Sequence, residues 1–382
     1  MLKNIIVCFT FCVFPLGVSA IAEGIGSTQD IESSKDTEAY TWANALTLES
    51  MSNLKGGNKT GMRNLANLDV TLTVDTQSAG WWSEGTLFAY VLGTYGNPPS
   101  ELTGELQTLS NIEAYNNLTL YELWYQHSFM SGAVKVLVGL HDYNSTFYSL
   151  DSAGLFTLSS LGIGPEIAQV GPSIFPTTSA AIHLTLTHNE QYFLLATYDG
   201  IPGDPQHIHG THVAFKKADG ILTAAEWGFA QEKNYKFGVG GWQSSAEVEN
   251  PIDGSLMDNN AGYYLIGEKY FNERLVAFFQ FGRADNKKNQ LDTYSGVGLT
   301  LSELWVTDDT IGLGYARAKN GPAFLRENPD LLSAEAAIEL TYARPLMEKL
   351  NFQTSIYYVE HPSMDPVVDN SIALGVRLYI EL

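Results

Sequence analysis

The sequence is poor in cysteine and in basic residues. Its two cysteines, Cys8 and Cys12, both lie in the first twenty residues, so no disulfide can link the rest of the chain. Lys and Arg number 21 against 42 Asp and Glu, which gives a formal net charge of −21. This balance argues against nucleic acid as a partner, because a phosphate backbone selects basic surfaces.

Long apolar runs are also missing. Beyond residue 20 the longest unbroken run is Leu87 to Leu92, whereas a transmembrane helix needs about 18 or more apolar residues. Charged residues make up 16% of the chain, below the roughly 25% of soluble domains. Aromatic residues reach 12%, and there are 35 glycines. This composition excludes disorder and predicts β-structure, including strands that could cross a membrane.

The first twenty residues have the pattern of an export signal. Lys3 gives a short positive start, residues 5–17 are apolar, and Val18-Ser19-Ala20 fits the small-residue rule for cleavage. We expect residues 1–20 to be a signal peptide that is cleaved on export. We expect residues 21–66 to form an N-terminal extension, partly disordered and partly helical, because 21–39 is polar and acidic and a weak helical spacing follows it.

Alternation of apolar and polar residues recurs along the remainder. In 68–75, and again in 374–382, every second residue is aliphatic, which indicates strands with one apolar face. A soluble β-sandwich would alternate too. However, the apolar stripes here are near ten residues long, whereas strands in globular proteins are typically about five or six residues long. Aromatic pairs such as Trp81-Trp82 and Tyr357-Tyr358 lie near the stripe ends, as interfacial girdles do. We therefore predict an all-β, antiparallel transmembrane barrel over residues 67–382.

Strand counting predicts the size of this barrel. Fifteen candidates lie at 67–76, 85–95, 118–129, 133–142, 180–188, 191–199, 223–231, 235–243, 261–271, 273–283, 294–304, 309–319, 333–344, 349–360 and 371–382. Because single-chain bacterial barrels prefer even numbers, we expect sixteen strands, with the missing one at 206–217. Sixteen strands leave an aqueous channel.

One connection, 144–179, is long and rich in apolar residues. Loops of this length without secondary structure are uncommon unless they are functional. We expect this loop to fold into the lumen and narrow the channel; a surface loop in an oligomer interface is the alternative.

Alternation also assigns side chains to the lumen, because charges facing lipid cost about 2–4 kcal/mol at the midplane. On the strand 118–129, we expect Tyr121 to face lipid. The residues that alternate with it, Glu122, Trp124 and Gln126, are then expected to face the lumen. We expect these positions to line the pore, whether or not any of them selects a solute: Glu122, Trp124, Gln126, Lys135, Glu335, Glu339, Gln353, Arg377 and Glu381.

The sequence favours neither a metal site nor an enzyme, and we expect no cofactor. His207, His209 and His212 lie between Pro205 and Val213 without a cysteine, which is typical of a polar turn. Nucleophile-elbow, phosphate-loop and zincin motifs are absent. Glu335 and Glu339, four residues apart on one strand, would be about 13 Å apart, too far to act on one glycosidic bond.

Several motifs together are similar to one known family. They are Ser110-Asn111-Ile112-Glu113-Ala114, Leu120-Tyr121-Glu122-Leu123-Trp124-Tyr125-Gln126, Asp151-Ser152-Ala153-Gly154-Leu155-Phe156, Gly162-Ile163-Gly164-Pro165, Ala334-Glu335, Ile338-Glu339-Leu340-Thr341-Tyr342 and His361-Pro362. In these stretches the chain resembles the carbohydrate-selective porins (OprB-like) of Gram-negative outer membranes.

The resemblance implies a sixteen-stranded outer-membrane porin through which carbohydrates diffuse passively into the periplasm. It implies as partners sugars, outer-membrane lipid and lipopolysaccharide, and the barrel-assembly machinery. The alternative is a barrel without transport, either a hydrolase or an adhesin. The sequence leaves open the preferred sugar, monomer against homo-oligomer, and whether the extension or the loop 144–179 gates the pore.

Overall fold

The computed structural model describes residues 38–382 and shows a closed antiparallel barrel of sixteen strands. The barrel strands are β1 (Tyr40–Gly57), β2 (Gly61–Asp75), β3 (Gly85–Gly96), β4 (Asn117–Phe129), β5 (Val134–His141), β6 (Ser179–His188), β7 (Gln191–Asp199), β8 (Ile221–Gln231), β9 (Tyr235–Ser244), β12 (Asn260–Tyr270), β13 (Leu275–Ala284), β14 (Leu291–Ser302), β15 (Thr310–Asn320), β16 (Ala334–Met347), β17 (Leu350–Glu360) and β18 (Asp369–Glu381). The predicted all-β architecture and strand number are confirmed. The predicted signal peptide, 1–20, lies outside the described residues.

Other regular structure is confined to the connections. A separate two-stranded ribbon is formed by β10 (Val248–Glu249) and β11 (Leu256–Met257). The helical turns are Ser100–Thr103, Asp151–Leu155, Ser159–Gly162, Pro165–Ala168, Lys217–Asp219, Pro322–Glu327 and Pro362–Met364. Within residues 38–382, none of the helices has the length and apolar character to span a bilayer.

The sixteenth strand lies in the stretch that the sequence assigned to an extension. Each of the fifteen other predicted strands overlaps a barrel strand, whereas 206–217 belongs to a loop. β1 pairs with β2 and with β18, so it closes the barrel. The predicted extension 21–66 is therefore wrong for residues 40–66, and the boundary predicted at 66/67 falls within β2. Residues 21–37 lie outside the described part.

The outward face of β1 explains why its period is hard to recognise. Trp42, Leu46 and Leu48 point outward, but Ser50 and Ser52 interrupt the apolar stripe. The strand is held by ladders on both of its edges, and this pairing does not require a perfect apolar stripe.

Alternation sorts the side chains of the barrel into two surfaces. On β18, Ile372 and Val376 are exposed on the outside, while Ala373 and Arg377 are buried inside. Apolar residues at many other outward positions are also exposed, among them Leu313 and Leu340. An apolar surface this continuous requires a nonaqueous environment, as around a membrane barrel.

The two ends of the barrel differ in the length of their connections. One end, the long-loop end, carries residues 58–60, 97–116, 142–178, 200–220, 245–259, 285–290, 321–333 and 361–368. The other end, the short-turn end, carries residues 76–84, 130–133, 189–190, 232–234, 271–274, 303–309 and 348–349. The longest connection, 142–178, therefore starts and ends at the long-loop end.

An ion pair inside the barrel crosses the seam between the first and last strands. Glu49 lies opposite Arg377 in the β1–β18 register, and Arg377 Nη2 is 3.0 Å from Glu49 Oε2. The two side chains are 1% and 8% exposed. Asn111 Oδ1, from the loop 97–116, accepts a second hydrogen bond from Nη2 at 2.9 Å.

We expect Arg377→Ala to destabilise the barrel by about 3–5 kcal/mol, because it leaves the buried Glu49 carboxylate without its cation. The temperature at which the purified barrel loses its compact electrophoretic mobility should fall. Arg326→Ala, which removes an exposed arginine of a loop helix, is the matched control and should change nothing. An equal effect of the two substitutions would contradict this role of the ion pair.

Candidate functional site

Residues 142–178, called here the inserted loop, fold into the barrel and pack against its inner wall. Phe147, Tyr148 and Leu158 of this loop are fully buried. The Tyr148 ring lies 4.3 Å from the ring of Tyr264 on β12, centroid to centroid. The predicted inward folding of this segment is confirmed, because its apolar side chains are buried against the wall and not exposed to water.

Buried carboxylates of the wall accept backbone N–H groups of the inserted loop. Glu339 on β16 accepts from Thr157 N at 3.1 Å and from Leu158 N at 2.9 Å. Glu226 on β8 accepts from Tyr148 N at 3.0 Å. On β12, Glu268 accepts from Ser152 N at 2.9 Å and from the Ser152 hydroxyl at 2.6 Å. These five hydrogen bonds to three carboxyl groups anchor the loop on the wall.

Amide and amino groups of the wall hold carbonyl groups of the same loop. Gln353 on β17 donates to Leu155 O at 2.6 Å, and Gln280 on β13 donates to Leu161 O at 2.8 Å. Lys236 on β9 donates to Ser149 O at 2.7 Å. Together with the carboxylates, these contacts place the inserted loop over the wall from β8 to β17.

A second inward loop, residues 97–116, covers the seam beside the inserted loop. Glu335 on β16 accepts from Leu106 N at 2.9 Å and from Gln107 N at 3.2 Å. The Ser110 hydroxyl donates to Glu49, the partner of Arg377. The two loops also bond to each other, since Asn111 N donates to Thr157 O at 2.9 Å. Polar wall groups therefore determine the position of both loops.

Five of the side chains predicted to line the pore lie inside the barrel but are covered. Glu335, Glu339, Gln353 and Arg377 lie under the two loops, at 0 to 7% exposure, and Glu122 is 1% exposed. The prediction that these five face the channel directly is therefore wrong. Alternation places a side chain on the inner wall, but it carries no information about a loop that covers the wall.

The three other predicted residues, Trp124, Gln126 and Lys135, are partly exposed on the inner wall. Trp124 stacks on Phe88 at 4.9 Å and donates from Nε1 to Glu122 at 3.0 Å. The hydrogen bond to Glu122, two residues away on β4, therefore orients the indole. Glu381, at the end of β18, is also partly exposed.

Trp124 depends on a glycine on the next strand. Gly139 lies opposite Trp124 in the β4–β5 register and has a φ of +145°. A Cβ at this position would lie 2.5 Å from Trp124 Cα. Only glycine adopts this conformation without strain and leaves space for the tryptophan.

Neighbouring positions extend the exposed part of the inner wall. Thr73 and Asp75 on β2, Thr86 on β3 and Ser128 on β4 are partly exposed, and Thr86 pairs directly with Gln126. The sequence reasoning missed these residues, although alternation on their strands could have identified them. With Trp124, Gln126 and Lys135 they form one polar surface, called here the β2–β5 wall, towards the short-turn end.

Tyr121, predicted to face lipid, instead lies inside. A bulge between the Tyr90 and Val91 pairings gives β4 one extra residue there. The Tyr121 ring packs 5.0 Å from Tyr90, and its hydroxyl donates to Asp142 Oδ2 at 2.5 Å. Burial raises the pKa of Asp142 to about 6. A bulge shifts the alternation, and the sequence period does not reveal it.

The histidine stretch lies in the loop 200–220 at the long-loop end. His207 Nδ1 is 2.9 Å from Asp204 Oδ2, the His207 and His212 rings stack at 4.7 Å, and His209 Nδ1 donates to Asn116 O at 2.9 Å. Among residues 38–382 there is no group of three or more His, Cys, Asp or Glu side chains arranged to hold a metal ion.

We expect Glu339→Ala to loosen the inserted loop, because two buried N–H groups lose their acceptor at about 1–3 kcal/mol each. In planar bilayers the single-channel conductance should rise and its noise should increase. Glu327→Ala, in an exposed loop helix, serves as the control. Unchanged conductance in Glu339→Ala would show that this carboxylate does not hold the loop.

Glu166 is the carboxyl group of the inserted loop from which we expect a dependence of loop docking on pH. The side chain is fully buried, its Oε1 accepts from the Tyr148 hydroxyl at 3.1 Å, and its Oε2 has no partner. A Cβ at Gly282 would overlap the carboxyl group, so the wall fits closely around it. Burial raises the pKa of Glu166 from its ordinary 4.5 to about 7.

The folded protein therefore binds this proton more tightly than the unfolded chain does. The resulting stabilisation is present below pH 4.5 and is lost as the pH rises to about 7. We expect current noise to increase over this range and the increase to be smaller in Glu166→Gln. Burial also raises the pKa values of Asp142 and Glu105, so these groups change the stability with pH in the same direction. The quantity to measure is therefore the difference in current noise between the wild type and Glu166→Gln. Identical pH profiles would contradict the assignment.

Comparison with known proteins agrees with this architecture. The model of the family described as carbohydrate-selective porin, OprB family, matches residues 59–382. The chain is similar to OprB of Pseudomonas putida in its high-pH structure, with a TM-score of 0.79, 16% identity, and coverage of 90% of this chain and 94% of that one. A comparison with curated protein sequences finds no match.

Two other solved barrels share the fold. The outer membrane channel DcaP of Acinetobacter baumannii gives a TM-score of 0.56 at 7% identity, covering 90% of this chain and 97% of that one. A mutant of the Rh. blastica porin gives 0.54 at 10% identity, covering 90% and 100%. The family match, which spans most of the barrel, together with the sixteen closed strands and the inward loops, shows that the chain belongs to the OprB family of carbohydrate-selective porins and is a carbohydrate porin of the Gram-negative outer membrane.

Proposed function

We propose that neutral mono- and oligosaccharides pass through this porin along the β2–β5 wall, by passive diffusion down their gradient. The observation that carries this proposal is the position of the inserted loop. It is anchored on β8, β12, β16 and β17, while the inner faces of Thr86, Gln126 and Lys135 stay partly exposed. Water and solutes therefore have access to one side of the barrel, and the inserted loop forms the constriction.

The chemistry of the β2–β5 wall suits an uncharged sugar. The Trp124 indole offers a flat apolar face for the C–H side of a sugar ring, and Phe88 and Glu122 hold it in place. Gln126 and Thr86 offer donors and acceptors for hydroxyl groups. Selectivity in a passive pore arises from pore width, lining groups and electrostatic barriers, and the groups of this wall support the second of these.

Charge supports preference for neutral solutes over anions. The chain carries 42 Asp and Glu against 21 Lys and Arg, and Asp75 lies on the exposed wall. A negative field around a narrow passage lowers the local concentration of anions. Lys135 adds one positively charged side chain to the same wall.

We propose that the protein performs no catalysis. Glu335 and Glu339, the carboxylates that most resemble a glycosidase pair, are each occupied by backbone N–H donors. Both are fully buried, so neither can reach a solute. Their contacts account for them as anchors of the two inward loops.

We also propose how the protein reaches and enters the outer membrane, as the sequence predicts. Residues 1–20 would act as a cleaved signal peptide, and the apolar outward stripe of β18 would serve the barrel-assembly machinery and then contact lipid. The long-loop end would face the cell exterior, where lipopolysaccharide surrounds it, because outer-membrane barrels carry short periplasmic turns.

We expect Trp124→Ala to slow the swelling of liposomes in maltotriose a few-fold, since one aromatic contact contributes about 1 kcal/mol. The conductance for potassium chloride should not fall, because a smaller side chain leaves more room. Trp227→Ala, which changes an exposed tryptophan on the outer face of β8, is the matched control. Equal losses for sugar and salt in Trp124→Ala, or no loss of sugar flux, would contradict the proposed path.

A further inference from the structure

The barrel wall has a gap in its strand pairing at the long-loop end. β5 is the shortest barrel strand, with 8 residues. The β4–β5 ladder ends at Leu123 and Leu140, whereas β4 continues to Asn117 with pairing to β3 only. Residues 117–122 of β4 therefore present backbone groups that no strand on the β5 side satisfies.

The loop 200–220, called here the rim loop, lies against this gap and hydrogen-bonds to β4. The Thr211 hydroxyl accepts from Leu120 N at 2.5 Å and lies 2.9 Å from the Thr119 hydroxyl. Gly210 N donates to Asn117 Oδ1 at 2.6 Å. The rim loop thus bonds to the edge of β4 where a strand is missing.

A cavity of about 150 Å³ lies between the first residues of β4, the last residues of the inserted loop (176–178) and the rim loop. An engineered cavity of about this size in a protein core holds one benzene molecule, so the space is on the scale of one six-membered ring. The cavity lies at the long-loop end of β4, the strand that also carries Trp124.

Polar groups and apolar faces both line this cavity. Hydroxyls come from Thr119, Thr177 and Thr211, and imidazoles from His207 and His212. Three prolines, at 176, 202 and 205, and the Tyr115 ring supply flat apolar faces. Groups of both kinds around one ring-sized space match a sugar, whose hydroxyls point sideways and whose C–H groups point up and down.

Charge narrows the class of ligand. Among the described residues that line the cavity, none is Lys or Arg, so an anion would find no cation in the lining. The Asp204 carboxylate is paired with His207 at 2.9 Å and with Lys216 at 3.2 Å. Leu120, Leu140, Ile208 and Val213 also line the cavity, so an acyl chain is the competing occupant, which the laurate competition below tests.

We propose that this rim cavity is a binding site for one neutral pyranose ring, which captures sugar at the cell exterior before it reaches the β2–β5 wall. The proposal rests on the carbohydrate function of the porin and adds a second contact point to it. Binding here uses His212 and Thr119, and transit along the channel uses Trp124, so the two can be separated by substitution.

The test measures binding of radiolabelled D-glucose to the full chain in detergent micelles by equilibrium dialysis. We expect one saturable site that weakens at least tenfold in His212→Ala and in Thr119→Val but persists in Trp124→Ala. A tenfold change corresponds to about 1.4 kcal/mol, the size of one good hydrogen bond. His188→Ala, at the opposite end of the barrel, is the matched histidine control.

Several outcomes would overturn the proposal. They are retention of the site in both His212→Ala and Thr119→Val, its loss in Trp124→Ala alone, displacement of glucose by gluconate or by laurate as strongly as by unlabelled glucose, and the absence of saturable binding. Liposome swelling with the same proteins keeps the porin function separate. His212→Ala should still pass glucose, whereas wild-type liposomes that fail to swell would count against the channel path and not against this site.

Discussion

Buried carboxylates that accept backbone N–H groups determine the interior of this porin. Glu226, Glu268 and Glu339 each bind the inserted loop, and Glu335 binds the loop 97–116 in the same way. A buried carboxylate is costly unless it is paired or well hydrogen-bonded. A loop backbone inside a barrel likewise needs acceptors for its N–H groups. Each group satisfies the other, and the loops are held without disulfides.

This arrangement divides the barrel into a filled side and an accessible side. The apolar residues of the inserted loop fill the space along β8 to β17, and the two loops bond to each other through Asn111 and Thr157. What remains is the β2–β5 wall, with Trp124 as its flat apolar face. Passive selectivity for sugars then follows from the shape of one wall and from a few polar groups, since no moving part is required. The lipid outside imposes the alternation, and the loops inside determine which inward residues meet solute.

Lipid is also the reason why so much of the fold could be predicted from the sequence. The apolar outward stripe marks fifteen strands, and it fails only on β1, where Ser50 and Ser52 interrupt it. Less of the functional site could be predicted from the sequence. Alternation placed Glu339 inside correctly, but its partner Thr157 is 182 residues distant, and no local pattern encodes that contact. The bulge at Tyr121 likewise shifts the period without a sequence signal. Trp124, Gln126 and Lys135 stay partly exposed beside the loops that residues 38–382 form, and their role in the sugar path remains a prediction.

Single cysteines on the inner wall test this division most directly, since the sequence beyond residue 20 contains none. Gln126→Cys lies on the β2–β5 wall, and Thr341→Cys lies under the inserted loop, at a position that is fully buried. The measurement is the rate at which a water-soluble charged thiol reagent lowers the conductance of each protein in a planar bilayer. The account predicts rapid, stepwise block of Gln126→Cys and no block of Thr341→Cys. Equal rates, or faster block at position 341, would contradict it.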